Sequence, residues 1–295
     1  MTEDAQARHA VDQLLAVLDL ADGEARTTED IFTGISHHTP WGRIYGGQVV
    51  AQSVIAAQRT LPADRVLHSL HGYFLRPGDA RQGVTLAVDR IHDGRSFATR
   101  RTQAFQNGVP IWSMIASFQD ADPGLEHSEP MPEGIPIPES LTPDEERTPG
   151  IHGGSRSLLT LPPIEVRHVE QPIWGTPDPT RSNRQHVWMR MRARLPEDAA
   201  LHRAALAYMS DTSIQEPVLR AHGLCWQTEG LKVASLDHAM WWHRFARADE
   251  WLLHVQESPN ARGGRGLGRS RVYTRDGILV ATISQEIMLR VPELF

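Results

Sequence analysis

The chain has 295 residues, 40% hydrophobic and 22% charged, which is the composition of a globular protein and argues against extended disorder. With 30 basic against 36 acidic residues the net charge is −6, so nothing in the overall charge favours nucleic acid as a partner. Cys225 is the one cysteine and leaves no intrachain disulfide to form; no apolar run reaches the roughly 18 residues of a membrane span, and MTEDAQARHAVDQ lacks a signal-peptide layout, so a cytoplasmic setting is expected.

Val11, Leu14, Leu15 and Leu18 predict a short amphipathic helix closed by Gly23. A second helix of small and aliphatic residues opens at Gly46-Gly47 and runs to about Thr60. Such a glycine pair brings helix N-terminal amides close to a carbonyl or phosphate, or lets the helix lie tight against a sheet. Extended segments follow at Leu67 to Arg76, Val84 to His92, Ser96 to Gln106 and Val109 to Gln119, with hairpin turns at Asp93-Gly94 and Asn107-Gly108. This is a helix followed by an antiparallel meander.

From Asp120 to Pro149 prolines recur among acids, which reads as a linker or an extended wrapping segment. Strands return at Ile164 to Val169 and at His186 to Leu195, where apolar Met189, Met191, Ala193 and Leu195 alternate with arginines. An Ala-rich helix begins at Ala199, and Ala200, Ala204, Ala207 and Asp211 share one face. A carboxylate at that helix's C-terminal end faces the negative pole of the dipole, which favours a proton acceptor of raised pKa; the alternative is that Asp211, Thr212 or Ser213 caps the next turn. Extended runs at Leu231 to Trp242, Trp251 to Ser258, Leu267 to Arg275 and Ile278 to Arg290 then repeat the first plan, with Asp276-Gly277 as the matching hairpin. The two copies also share a Ser-Leu pair, Ser69-Leu70 against Ser235-Leu236.

Aligned through those hairpins, the copies differ in an informative way. Pro110, Trp112, Met114, Ala116 and Phe118 form an apolar face, whereas Leu279, Ala281, Ile283, Gln285, Ile287 and Leu289 carry an amide where the first copy has Ala116. A buried amide without partners costs about 1–3 kcal/mol, so Gln285 is expected to be hydrogen-bonded. Asp211, Ser235 and Gln285 make a candidate polar cluster, either catalytic or an internal network without chemistry.

The segments GRIYGGQVVAQS, LHSLHGYFLRPGD, DGRSFATRRTQAFQNGVPIWSMIASFQ, AYMSD, ASLDHAMWWHR and the stretch from EWLLHVQ to ISQEIMLR resemble the acyl-CoA thioesterase II family. The resemblance implies an α+β double hotdog, two antiparallel sheets each wrapped around a central helix. It divides the chain into residues 1–119, a Pro-rich linker at 120–160, and 161–295 with the catalytic residues. It further implies hydrolysis of medium- to long-chain fatty acyl-CoA, catalysis by Asp211, Ser235 and Gln285, no cofactor and no metal, and a homo-oligomer, dimer or tetramer. His71, Tyr73 and Phe74 are expected either to line the acyl or pantetheine path or to be ordinary core packing, and the coenzyme phosphates to meet Arg262, Arg265, Arg269 and Arg271 among nearby glycines; a flexible solvated loop is the competing reading of that glycine–arginine run. His37-His38 and the His238 and His243 pair lack a metal-binding pattern and are expected to be surface or packing residues. Rival functions are a hotdog enoyl-CoA hydratase and a non-catalytic acyl-CoA sensor; absence of a G-x-S-x-G elbow disfavours a covalent serine hydrolase.

Overall fold

The computed structural model describes residues 3–22, 29–37, 39, 42–148 and 162–291. In chain order the elements are α1 (Glu3–Leu18), β1 (Ala21–Asp22), β2 (Asp30–Gly34), α2 (Gly46–Arg59), β3 (Val66–Phe74), β4 (Val84–Asp93), β5 (Phe97–Gln106) and β6 (Val109–Gln119). A 3-10 turn at Pro138–Ser140 and α3 (Asp144–Arg147) precede β7 (Ile164–His168), β8 (Arg184–Met191), α4 (Ala199–Ser210) and α5 (Glu216–Ala221). The chain then forms β9 (Lys232–Ser235), β10 (Asp237–Trp242), β11 (Leu252–Arg262), β12 (Arg265–Thr274) and β13 (Leu279–Arg290). The closing Gly23 expected for α1 lies outside the described residues.

The strands make one antiparallel sheet in the order β1-β2-β4-β5-β6-β3-β10-β13-β12-β11-β8-β7, with β9 also on β13. The join between the halves is β3 against β10, where His71 lies opposite Ala239 and Tyr73 opposite Asp237. Both central helices sit on the inner face of this sheet and pack on each other, so Val50, Val54 and Ala57 of α2 share a core with Ala204, Ala207 and Tyr208 of α4. These are the two helix-plus-sheet copies that the repeat predicts, arranged as the double hotdog that the family resemblance implies.

Local chemistry accounts for the turns. Asn107 and Gly108 have φ of 50° and 75°, the left-handed pair a two-residue hairpin demands, and both residue types tolerate it. The glycine–arginine run forms the tight end of the β11–β12 hairpin, not a flexible loop, with Arg262 opposite Arg265. Gly263 and Gly264 supply the turn's left-handed φ of 62° and 72°, and the other two glycines are explained by packing: a Cβ at Gly268 would meet the Ile214 carbonyl oxygen, and one at Gly266 would strike Val218 of α5.

The Pro-rich segment is a wrap. Met131, Ile135 and Leu141 lie on Trp188, Trp251, Leu253, Val255 and Tyr273, covering the outer face of the second half's sheet. Trp188 Nε1 donates to the Pro136 carbonyl at 2.9 Å. Its end is anchored by charge. The buried imidazole of His168 bridges Asp144 of α3 and Glu216 of α5, with His168 Nε2 2.8 Å from Glu216 Oε2. Burial alone would lower His168, but the two carboxylates outweigh it and lift it to about 10; the same imidazolium outweighs burial at Asp144 and Glu216 and holds both carboxyls below their usual range.

Candidate active site

The site forms where the C-terminal end of α4 meets the N-terminal end of α2. Asp198 caps α4 by accepting from the Ala200 and Leu201 amides, and the helix ends as expected, with Asp211 as its C-cap residue. The Asp211 side chain does not cap the next turn. Its Oδ2 accepts from the Gly47 amide of α2 at 3.0 Å, from the other half of the molecule. Gly46 and Gly47 permit this approach: a Cβ on Gly46 would lie 2.7 Å from Asp211 Oδ2, and one on Gly47 2.4 Å from the Tyr208 carbonyl oxygen. Tyr45 locks the crossing, its hydroxyl donating to that same carbonyl at 2.8 Å and lying 3.1 Å from Thr212 Oγ1.

On the sheet side, Gln285 projects inward from β13, fully buried, and its Nε2 donates at 2.8 Å both to Asp211 Oδ1 and to Ser235 Oγ. Gln215 Nε2 donates to Ser235 Oγ at 2.9 Å. With two amides on its oxygen, the Ser235 hydroxyl directs its hydrogen toward Asp211 Oδ1, a long contact of 3.4 Å. Behind Gln285 stands His238, 1% exposed, with Nδ1 2.5 Å from Gln285 Oε1 and Nε2 2.9 Å from Ser210 Oγ.

Burial pushes the Asp211 carboxyl above its ordinary value, against the opposing pull of His238, the Gln285 amide, the Gly47 N–H and the Ser235 hydroxyl. The direction is the expected one, with burial as its first cause, and Oδ2 also faces the positive pole of α2, which favours its charge. Burial likewise lowers the His238 imidazole, although Asp211 and the Gln285 contact draw it upward.

The cluster Asp211, Ser235 and Gln285 is thus assembled as the sequence suggested, and Phe74 joins it, its ring 4.4 Å from that of Trp112 and within 3.0 Å of a Cβ built at Gly46. The other substrate-binding expectations are placed elsewhere. His71 and Tyr73 alternate with Phe74 on β3 and are exposed on the outer face of the sheet, His71 against Trp241. Arg265 and Arg269 are exposed on β12, facing away from Gln285; Arg265 pairs with Glu286, Arg271 with Glu129, and Arg262 is exposed at the hairpin tip. Among the described residues no cluster of three or more His, Cys, Asp or Glu side chains is arranged to hold a metal.

Sequence reasoning singled out the Gly46-Gly47 pair but not Asp211 as its partner, and it missed Gln215, Tyr45 and the place of His238 in the cluster. His238 had a signal. Leu70 lies opposite Ala116, and one step beyond the Ala239–Ser284 pair puts His238 opposite Gln285, so the counterpart of Leu70 in the second half is His238 and the Ser-Leu pairs are not equivalent. The Ser-Leu alignment hides this by two residues: Ser235 faces Ile287 as Leu67, not Ser69, faces Phe118, and both halves carry the same one-residue slip after that pair.

A family profile described as acyl-CoA thioesterase matches residues 165–288, and one described as acyl-CoA thioesterase N-terminal domain matches residues 36–119. Acyl-CoA thioesterase 2 of Haemophilus influenzae is 35% identical over 276 residues, covering 89% of this chain and 93% of that one. The chain belongs to the acyl-CoA thioesterase II family. Human acyl-coenzyme A thioesterase 8 is 37% identical over 277 residues, with 89% of this chain and 85% of the relative covered. An acyl-CoA thioesterase II from Mycobacterium marinum has a solved structure that is 40% identical, with a TM-score of 0.77 over 96% of this chain and 99% of that one. The thioesterase is accordingly a thioester hydrolase of the double hotdog class, and its two profile matches fall on the two halves that supply, respectively, Gly47 with Phe74 and Asp211 with Gln285. No helix among the described residues is long and apolar enough to cross a membrane.

Proposed function

We propose that the chain hydrolyses medium- to long-chain fatty acyl-CoA to the free acid and coenzyme A by direct attack of water, with Asp211 as general base. The observation that carries this reading is the Gln285 amide, which bridges the Asp211 carboxylate and the Ser235 hydroxyl at 2.8 Å each, beside the α2 N-terminus. Ser235 has both lone pairs engaged by amides, which disfavours it as a nucleophile, and its hydrogen, held only by the long 3.4 Å contact to Asp211, is the group it offers to a water. Asp211 accepts a proton as the water oxygen bonds to the thioester carbon; the C–S bond then breaks, and the proton passes to the departing thiolate. The positive end of α2, with the Gly46 amide beside that of Gly47, is the proposed setting for the developing oxyanion. Phe74 lines the approach of the acyl chain.

Enoyl-CoA hydration needs a histidine presented to substrate, and both ring nitrogens of His238 are engaged by Gln285 and Ser210 instead. The N-terminal half contributes no second centre in this reading, because Leu70 and Ala116 replace His238 and Gln285. The homo-oligomer and the limits 1–119, 120–160 and 161–295 remain part of the proposal; the former is supported by Tyr73, Phe97 and Ile115, exposed on a sheet face whose counterpart in the second half is covered by the wrap.

The test is free-thiol release from a series of saturated acyl-CoA esters, acetyl to palmitoyl, by the parent and by Asp211→Asn. Loss of a general base is expected to cost about 10²–10⁴ in kcat. Thiol release that Asp211→Asn leaves intact removes Asp211 from the mechanism. Binding of acyl-CoA without thiol release by the parent replaces hydrolysis with sensing, and consumption of enoyl-CoA without thiol release replaces it with hydration.

A further inference from the structure

We infer that His238 is a positioning residue that holds the Gln285 amide in the one orientation from which it can serve Asp211 and Ser235. The inference rests on the water-attack reading for its consequence in rate, and on hydrogen-bond geometry alone for the orientation itself. A glutamine amide has two nearly isosteric ends, so its orientation is decided by its partners. Here Nε2 meets Asp211 Oδ1 and Ser235 Oγ, and Oε1 meets His238 Nδ1. While Asp211 is ionised, a reversed amide would set oxygen against oxygen, and the carboxylate itself enforces the arrangement. Once Asp211 has taken the proton from water, its carboxylic acid is a donor and would bond equally well to a reversed amide. At that stage only His238, at 2.5 Å, prevents the reversal.

The tautomer follows from the same contacts. Oε1 requires a donor, so Nδ1 carries hydrogen. Burial favours the neutral ring, and Nε2, 2.9 Å from Ser210 Oγ, is then an acceptor that shares the one Ser210 hydrogen with the Ala207 carbonyl at 2.8 Å. Ser210 is itself fully buried at the last turn of α4, one residue before Asp211, so the chain of contacts from Asp211 through Gln285 and His238 returns to the same helix end.

The duplication supplies an independent argument. At the matching positions of the first half, Leu70 lies opposite Ala116, and both are fully buried in its core. An aliphatic pair therefore fills this place in a hotdog, and packing alone does not call for imidazole and amide. Both members of the pair differ together, and in the half that contains Asp211.

The experiment uses the full chain with His238→Leu, His238→Asn and His238→Gln, assayed with decanoyl-CoA. His238→Leu is expected to lower kcat by roughly 10–100-fold, the range seen when residues that orient a reacting group are removed, with KM little changed. In His238→Asn the amide nitrogen reaches the place of Nδ1 and should restore most of kcat, whereas His238→Gln reaches the place of Nε2 and should not. In a Gln285→Ala background His238→Leu should add less than about a twofold loss, because coupled residues are not additive; that double variant also recreates the aliphatic pair of the first half, so its melting temperature reports folding. Equal losses in His238→Asn and His238→Leu, or a full further loss in the Gln285→Ala background, would overturn the inference in favour of packing. Nitrogen NMR of labelled histidine reads the orientation without turnover: hydrogen on Nδ1 in the parent, and loss of that preference in Gln285→Ala, are expected. Hydrogen on Nε2 in the parent overturns the inference even if the enzyme is active, and an inactive parent that shows the Nδ1 tautomer overturns only the hydrolytic reading.

Discussion

Gly47→Ala is the sharpest test of how the two halves make one site. A methyl group there would lie 2.4 Å from the Tyr208 carbonyl oxygen and 2.6 Å from the Tyr45 ring, whereas ordinary contact begins near 3.4 Å. The carbonyl is backbone in the last turn of α4, and Tyr45 is tied to it by its hydroxyl, so neither yields as a free side chain would. To clear the methyl, α2 must withdraw by about 1 Å, and the 3.0 Å bond from Gly47 N to Asp211 Oδ2 then opens beyond hydrogen-bond reach. A bond to a charged group contributes about 1.5–3 kcal/mol. Against this stands the better helix propensity of alanine, up to about 1 kcal/mol. Overpacking adds about 1–3 kcal/mol of strain, so destabilisation wins. A misplacement of about 1 Å at a reacting group costs on the order of 10² in rate, which sets the expected fall in kcat. Thiol-release kinetics and a thermal melt on the same sample decide it. A variant that melts higher than the parent and keeps kcat within about threefold would show that propensity outweighs the close approach, and the argument from Gly47 would fail.

Two further outcomes concern charge. His168, lifted to about 10 by Asp144 and Glu216, contributes stability that is complete below its ordinary value of 6.5 and is lost as pH rises toward 10, while the two depressed carboxyls contribute stability that is lost only in acid. Denaturant midpoints should therefore fall steadily from about pH 6 to pH 10 in the parent, and this slope should flatten in His168→Gln; an identical slope in both proteins refutes the assignment. Arg265→Ala and Arg269→Ala remove exposed guanidiniums on the face away from Gln285, so KM for decanoyl-CoA should change by less than about threefold, and a tenfold rise in KM would place the coenzyme phosphates on that face after all.

What could be read without coordinates was whatever local or periodic chemistry encodes. Asn107-Gly108 demands its hairpin wherever the strands go, and the alternation on β13 exposes Gln285 as out of place against Ala116 of β6. The partner of Asp211 was illegible because it is a backbone amide 164 positions away, and a side chain in a D-T-S sequence looks the same whether it caps the next turn or another helix. His238 was concealed by the repeated Ser-Leu pair, which sets Ser69 on Ser235 although the strand pairing sets Leu67 there, two residues out of step. The wrap was legible as extended chain from its prolines; that Met131, Ile135 and Leu141 cover tryptophans of β8 and the loop before β11 depends on sheet order, which no short window contains.

The asymmetry between the halves is what the proposal of a single site in one chain rests on. In the first half the corresponding corner, at the C-terminal end of α2, is occupied by Arg100, which is 1% exposed, donates to Thr60 Oγ1 at 2.7 Å and pairs with Asp93. On the register of β5 with β6 and of β12 with β13, Arg100 stands opposite Ala116 as Gly268 stands opposite Gln285. A long cation therefore fills the first corner, and the second is left to the Ile214 backbone and the polar cluster. The helix termini diverge in the same sense. The α4 N-terminus takes its cap from Asp198, immediately before it, so its amides are satisfied locally, whereas Tyr45 at the α2 N-terminus offers no side-chain cap and Gly47 is left for Asp211. Each departure from the repeat thus points the same way: the first half has the helix end without the proposed reacting groups, and the second has the proposed reacting groups and depends on a helix end it does not own.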